Sequence, residues 1–400
     1  MKKGWPTKTL GEVCQFRGGG TPSKAVERYW LGEIPWVSPK DMKFDVISDS
    51  IDHISHEAIN RSPTSLIPKD SVLMVVRSGI LARTVPIAIT GRALTINQDL
   101  KALCPNGAVD VRFLYHLLIS KMDVLLSMVS RGATVHRLMT DQIRALGFIL
   151  PPLPEQQRIV GILDQAFAGI ATAKANAEKN LQNARDLFES HLQSIFTQRG
   201  AGWIEKRLGD ICERVSVGHV GPTSEFYCEQ IDGISFLRSQ NVRRGFLDWN
   251  GIQYITKEFH QKLRKSQLRG GDLLFVRVGA NRGDCCSLPH DAGEINCANI
   301  VFARPTQGNA NYLARYCDSA PGREQLLGMT TGSAQGVINT HSVADLVVPI
   351  PPPLEQKRIV DSLNDFQIET RRLESIYQQK LAALDELKKS LLHQAFSGQL

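Results

Sequence analysis

Apolar residues recur at steps of three and four along two stretches of the chain. The first carries them at positions 159, 163, 166, 170, 173, 177, 181, 184, 188, 192 and 195; the second at 359, 363, 366, 373, 376, 384, 387, 391 and 395. Lys, Gln, Asn, Glu and Asp fill the positions between. Steps of this kind predict one long helix over 151–199 and another over 351–400, each with a narrow seam near period 3.5. A lone helix would leave its seam in water, so each needs a partner, and the other helix can supply it. The first leaves one globular part and runs to the next; the second can run back, which makes the expected pair antiparallel. At about 1.5 Å per residue such helices reach roughly 63 Å. The stretches before them, 1–150 and 200–350, read differently. Short β-rich runs such as VLMVVRSG (72–79) and DLLFVRVG (272–279) lie among turn residues, and a short helical pattern follows at 111–120 and 310–319. The expected fold class is α+β, with two similar domains separated by a two-helix coiled coil.

The chain is written twice. LPPLPEQQRIVGIL (150–163) and IPPPLEQKRIVDSL (350–363) are identical at eight of fourteen positions, at an offset of 200. WPTKTLGEVC from Trp5 matches WIEKRLGDIC from Trp203, and IPWVSPKDM from Ile34 lies over ISFLRSQNV from Ile234. Arg77 and Gly79 fall on Arg277 and Gly279, and Ser190 and Phe196 on Ser390 and Phe396. In each copy two prolines end the preceding strand, and Glu155 or Glu355 in the first helical turn complements the helix dipole. Trp5 and Trp203 read as core.

Composition narrows the function classes. In 400 residues, 42% are hydrophobic and 22% charged, enough for ordinary cores and against a wholly disordered chain. No apolar run reaches the roughly 18–20 residues that cross a bilayer, and MKKGWPTKTL has no hydrophobic stretch behind its lysines, so a soluble, uncleaved, cytoplasmic chain is expected. The eight cysteines show no CxxC pair and read as reduced thiols. The net charge of +7 is uneven: residues 1–150 hold 19 Lys and Arg against 13 Asp and Glu, whereas both helical stretches balance. A basic surplus in one head is compatible with a polyanionic partner. Neither a nucleotide-binding glycine loop nor an HExxH motif is present, since no GK[ST] follows Gly18–Gly20. No Asn/Asp-Pro-Pro-aromatic motif is found, so catalysis within the chain is not supported.

With GGTPSKAVERYWLGEIPWVSPKDM (19–42), the paired PPLPEQQRIV and PPPLEQKRIV helix starts and the alternation of head and helix, the chain resembles the specificity (S) subunit of type I restriction-modification systems. The resemblance covers the whole chain. It implies two target recognition domains (1–150 and 200–350), each reading half of a split asymmetric DNA sequence, and two helices (151–199 and 351–400) that set the spacer. It implies as partners double-stranded DNA, two methylation subunits and two motor-nuclease restriction subunits. No cofactor is expected on this chain; S-adenosylmethionine belongs to the methylation subunits, and ATP with Mg to the restriction subunits. GGTPS and YW have no clear counterpart after Gly218, so the second head is expected to place its DNA loops differently.

Forked Arg and Lys suit guanine and phosphate, and Asn or Gln suits adenine. DNA candidates in the first head are Lys24, Lys40, Arg77, Arg83, Arg131, Thr134 and Arg137. In the second they are Arg238, Gln240, Asn241, Arg243, Arg244, Arg277, Arg282 and Gln335. For each the alternative is a solvated charge or an internal ion pair. Glu155, Gln156 and Arg158, with Glu355, Gln356 and Arg358, either dock a methylation subunit or lock each helix against its own head. A self-sufficient DNA-modifying enzyme and a structural adaptor are the competing classes.

Overall fold

The computed structural model describes residues 5–132, 135–329, 336–397 and 399. The chain forms two compact units, residues 1–177 with 379–400 and residues 178–378. Each unit therefore holds one head and a portion of both long helices.

In the first unit a five-stranded sheet runs in the order Cys14–Gly18, Leu100–Pro105, Val72–Val75, Ile87–Thr90, Val46–Ile47. A four-stranded sheet follows the order Asp52–Ile54, Ile34–Val37, Leu94–Ile96, Leu66–Ile67, with its middle pair parallel. Val72–Val75 is buried on both faces, as its unbroken apolar run requires. Thr7–Thr9 pairs antiparallel with Gly147–Ile149, and the chain then enters the first long helix, Leu153–Thr197.

The second unit repeats this plan. Its sheets run Cys212–Val217, Ile300–Pro305, Leu273–Val276, Cys285–Ser287, and Gln253–Thr256, Gly233–Leu237, Ile295–Cys297, Gln267–Leu268. Ile204–Arg207 pairs with Val347–Ile350 before the second long helix, Pro353–Ser397. The duplication read from the sequence is thus a duplication of topology. Among the described residues two features differ: the edge strand Val46–Ile47 has no equivalent on the second large sheet, beside which the hairpin Val242–Arg243/Phe246–Leu247 lies instead, and the strand pair Arg77–Ser78 with His136–Arg137 has no counterpart in the second unit.

The glycine run is a packing device. A Cβ on Gly19 would lie 2.0 Å from the Ile96 carbonyl oxygen, and one on Gly218 would lie 2.7 Å from that of Cys297. Glycine lets the strand end press against the neighbouring sheet in both heads.

Each head buries the start of one long helix together with the end of the other. Ile159, Val160 and Leu163 share the first core with Leu392 and Ala395, and Phe113 meets Phe396 at 5.1 Å. Leu192 and Phe196 share the second core with Val360 and Leu363. Lys174 pairs with Asp385 at 2.8 Å in the first unit, and Arg185 with Glu374 at 3.3 Å in the second; these contacts set the helices antiparallel within each unit. Such exposed pairs contribute at most about 1 kcal/mol, so the seam carries the association.

The seam of the second helix corrects the sequence reading. Leu373, Ile376 and Leu387 lie 37%, 47% and 48% exposed, while Thr370 is buried and Tyr377 half-buried. Thr370 fits the seam because its hydroxyl donates to the Phe366 carbonyl one turn back. The eight cysteines are free thiols. Burial pushes Cys14 and Cys212 up to about 12, which keeps them protonated and unreactive.

Candidate nucleic-acid interface

A short antiparallel ribbon in the first head joins Arg77–Ser78 to His136–Arg137 and sets Arg77 directly opposite Arg137. Arg137 is held further by a backbone bridge to Ser130. Like charges directly across a strand pair repel, so this register is unfavourable unless an anion sits on it. The Asp99 carboxylate reaches Arg77 only at 3.9 Å, and both arginines are exposed. Ser78 caps the turn Gly79–Ala82 by accepting from the Ile80 amide, and exposed Arg83 follows it. Arg131 is exposed one residue beyond Ser130. Ile80, Val135 and Met139, all at least a third exposed, add apolar surface along the ribbon and its turns. Four arginines thus gather where three separate segments meet. Lys24 is exposed elsewhere in the head, and Lys40 is tied to Asp52 at 2.7 Å, which raises its pKa. Thr134 lies outside the described residues.

The candidates of the second head are placed differently. Arg277 donates from Nε to the Ile338 carbonyl at 3.4 Å, and Arg282 from Nη1 to that of Gly336 at 2.8 Å, both half-buried. Arg238 reaches the Gly251 carbonyl through Nη2, and its buried Nε meets no acceptor among the described residues. Arg243 contacts its neighbour's carbonyl, Gln240 is exposed, and Gln335 lies outside the described residues.

Asn241 leaves the DNA set, and Arg244 is ion-paired while still partly exposed. Asn241 is fully buried: its Oδ1 accepts from the Arg238 amide and its Nδ2 donates to the Asp248 carbonyl. Asp41 plays the same part at the matched position of the first head, accepting from the Ser38 and Ile51 amides. Arg244 bridges Glu189 at 2.9 Å and Asp318 at 3.2 Å, so it clamps the hairpin to the long helix and to the helix Ala310–Asp318. Burial pushes Asp318 up to about 6 although Arg244 and Arg323 stand beside it.

A basic strip that the sequence reading passed over supplies what these residues do not. Lys257, Lys262, Arg264, Lys265 and Arg269 are all exposed, with Glu258 the one acid between 257 and 269. The run KEFHQKLRKSQLR carries five bases and one acid, whereas the first head has only Arg61 and Lys69 over the matching stretch, so the repeat does not mark it.

The helix starts settle one alternative. Gln156 is fully buried, accepting from the Asp110 amide and donating to the carbonyls of Ala108 and Pro151. Gln356 accepts from the Asn309 amide at 2.7 Å and donates to the Pro351 carbonyl. Asp110 and Asn309 are the N-caps of Val111–Ser120 and Ala310–Asp318. Both glutamines are locks within their own heads and offer nothing to a partner. Glu155 holds Arg158 at 2.7 Å, Glu355 accepts from the Trp203 indole at 3.0 Å, and Arg358 is exposed.

Residues 2–182 match the family model described as the type I restriction modification DNA specificity domain. The specificity subunit of the Escherichia coli type I restriction enzyme EcoR124I/EcoR124II is 41% identical over 160 residues, 40% of either chain. That of MjaIX from Methanocaldococcus jannaschii is 28% identical over an alignment spanning 100% of this chain and 94% of the relative. Residues 2–182 thus carry the type I restriction modification DNA specificity domain. The chain's fold is also that of solved specificity chains. The HsdS subunit of Thermoanaerobacter tengcongensis superposes with a TM-score of 0.60 at 20% identity, covering 100% of this chain and 98% of that one. A chain from a structure on complex assembly and conformational transition of the type I R-M system gives 0.80, also at 20% identity, covering 100% and 99%. Among the described residues, no helix is long and apolar enough to cross a membrane.

Proposed function

We propose that this chain is the non-catalytic DNA-reading subunit of a type I restriction-modification complex, each head recognising one half of a split, asymmetric target. The observation that carries the reading is the ribbon that aligns Arg77 with Arg137, an arrangement that a phosphate backbone stabilises and water does not. The heads share a topology but carry different basic residues: four arginines around the ribbon in one, the 257–269 strip in the other. Shared scaffolds with unlike readers fit two unlike half-sites. The long helices would set the spacer and seat two methylation subunits, which bring S-adenosylmethionine; restriction subunits would bring ATP and Mg.

Glutamate at both Arg77 and Arg137 is expected to weaken duplex binding of the assembled complex at least tenfold. It should also lower the slope of log affinity against log salt by about 2, since each lost phosphate contact removes about one unit. Fluorescence anisotropy at several salt concentrations measures both. Unchanged affinity and slope would remove the ribbon from the interface.

A further inference from the structure

Counted back from the matched Ile34 and Ile234, each head exposes an aliphatic side chain, Leu31 in a bend and Ile231 in a short helical turn. Leu31 lies three residues before Ile34 and is 77% exposed; Ile231 lies three before Ile234 and is 88% exposed. Ile34 and Ile234 begin matched runs in equivalent central strands, each parallel to its neighbour, with Trp36 beside Thr95 in one and Phe236 beside Asn296 in the other. A single exposed aliphatic needs no account. Two at the same count before matched strands, in otherwise unlike sequences (Leu-Gly-Glu and Ile-Asp-Gly), do.

Both tips are held firmly. A Cβ on Gly32 would lie 2.2 Å from the Ile54 carbonyl, so the turn carrying Leu31 lies against the neighbouring strand end, and Trp30 packs edge-on against Trp36 at 5.0 Å. Ile231 sits inside the short helical turn Gln230–Asp232. An apolar group fixed in its exposed position loses little freedom when a partner covers it.

Charge selects the partner. The concave surface beside Leu31 is lined by Glu27, Glu33 and Asp52, with Ile51, His53 and Lys24. Residues 220–237 around Ile231 contain Glu225, Glu229 and Asp232 and no Lys or Arg; Glu229, Asp232 and Glu258 together help raise the Cys228 thiol, after burial. Lys257 follows Thr256, which pairs with Gly233. Apolar wedges that enter DNA stand among basic groups, because the phosphates repel acids. Around these tips the acids outnumber the bases, although Lys24 lines the surface beside Leu31 and Lys40 pairs with Asp52.

We propose that Leu31 and Ile231 are matched docking tips, each seated in an apolar socket with a Lys/Arg rim on one copy of the same partner protein. The proposal rests on the reading above, in which two copies of one methylation subunit assemble on this chain, and it assigns each copy an anchor on a head in addition to the helices. The test uses the full chain, the methylation subunit of the same system, and the variants Leu31→Asp, Ile231→Asp and the double variant. Mass photometry counts bound subunits, and anisotropy of a mixed-sequence duplex reports DNA binding by the chain alone. Each single variant is expected to lower the affinity for one subunit at least tenfold, leaving one bound at concentrations where the parent holds two. The double variant should hold none, with DNA binding changed less than twofold. Leu31→Ser and Ile231→Ser, milder changes at the same exposed sites, should show the same order of loss. Variants that assemble like the parent would overturn the tips while leaving the reading intact. Weakened DNA binding with assembly intact would overturn them in favour of a wedge. A parent chain that takes up no methylation subunit would overturn both.

Discussion

Arg304→Met is expected to destabilise the second unit by about 3–5 kcal/mol, because it leaves a buried carboxylate without its counter-charge. Asp272 is fully buried and receives two 2.8 Å hydrogen bonds from the Arg304 guanidinium, which also reaches the Gln267 carbonyl. The same carboxylate accepts from the Arg269 amide, so the pair ties the strand Ile300–Pro305 to the turn before Leu273–Val276. Strand register (Val72 opposite Leu103, Leu273 opposite Ala303) puts Ser71 and Cys104, 3.4 Å apart, in the matched slot of the first head, one residue off the sequence match of Arg77 with Arg277, so the scaffold accommodates a neutral pair there. Asp272→Ser combined with Arg304→Cys is therefore expected to recover most of the loss. Urea unfolding of both variants, followed by far-ultraviolet circular dichroism, decides it. A single variant within 1 kcal/mol of the parent would mean that the carboxylate finds water or another partner.

The second large effect belongs to the glutamine locks. Gln156→Ala would strand the Asp110 amide and the carbonyls of Ala108 and Pro151; Gln356→Ala would strand the Asn309 amide and the Pro351 carbonyl. Each buried group left unpaired costs about 1–3 kcal/mol, with partial relaxation, so about 2–4 kcal/mol is expected for either substitution. Hydrogen exchange adds a local reading. The amides of Asp110 and Asn309 should lose protection in their own variant and keep it in the other. Loss in both heads from one substitution would contradict locks that act within a single unit.

Adjacent positions and fixed periods announce themselves. The twofold repeat, the helix starts after Pro151–Pro152 and Pro351–Pro352, and the short helices after Asp110 and Asn309 were all visible in the chain, because caps, prolines and seam spacing act over a few residues. Sheet order was not, since strands such as Ile34–Val37 and Leu94–Ile96 meet across some sixty residues. Polar residues were misjudged in both directions. Asn241 looks like a surface reader, and Gln156 and Gln356 fit docking groups as well as locks, until the fold supplies partners for each donor and acceptor. Lys262, Arg264 and Lys265 have no counterpart in the first head, so the repeat does not mark them. Apolar residues misled on the second helix as well. Leu373 and Ile376 have the right chemistry for a seam, yet Leu363, Thr370 and Tyr377, seven apart, set its register.

Mapping N6-methyladenine across a host genome, with this gene present and then deleted, tests the proposed division of labour most directly. Two reading heads predict one methylated motif, interrupted by a spacer of constant length and different on its two sides, that vanishes on deletion; exchanging residues 1–150 for those of a relative should rewrite one side only. A methylation pattern indifferent to the gene, or an exchange that rewrites both sides together, would contradict it.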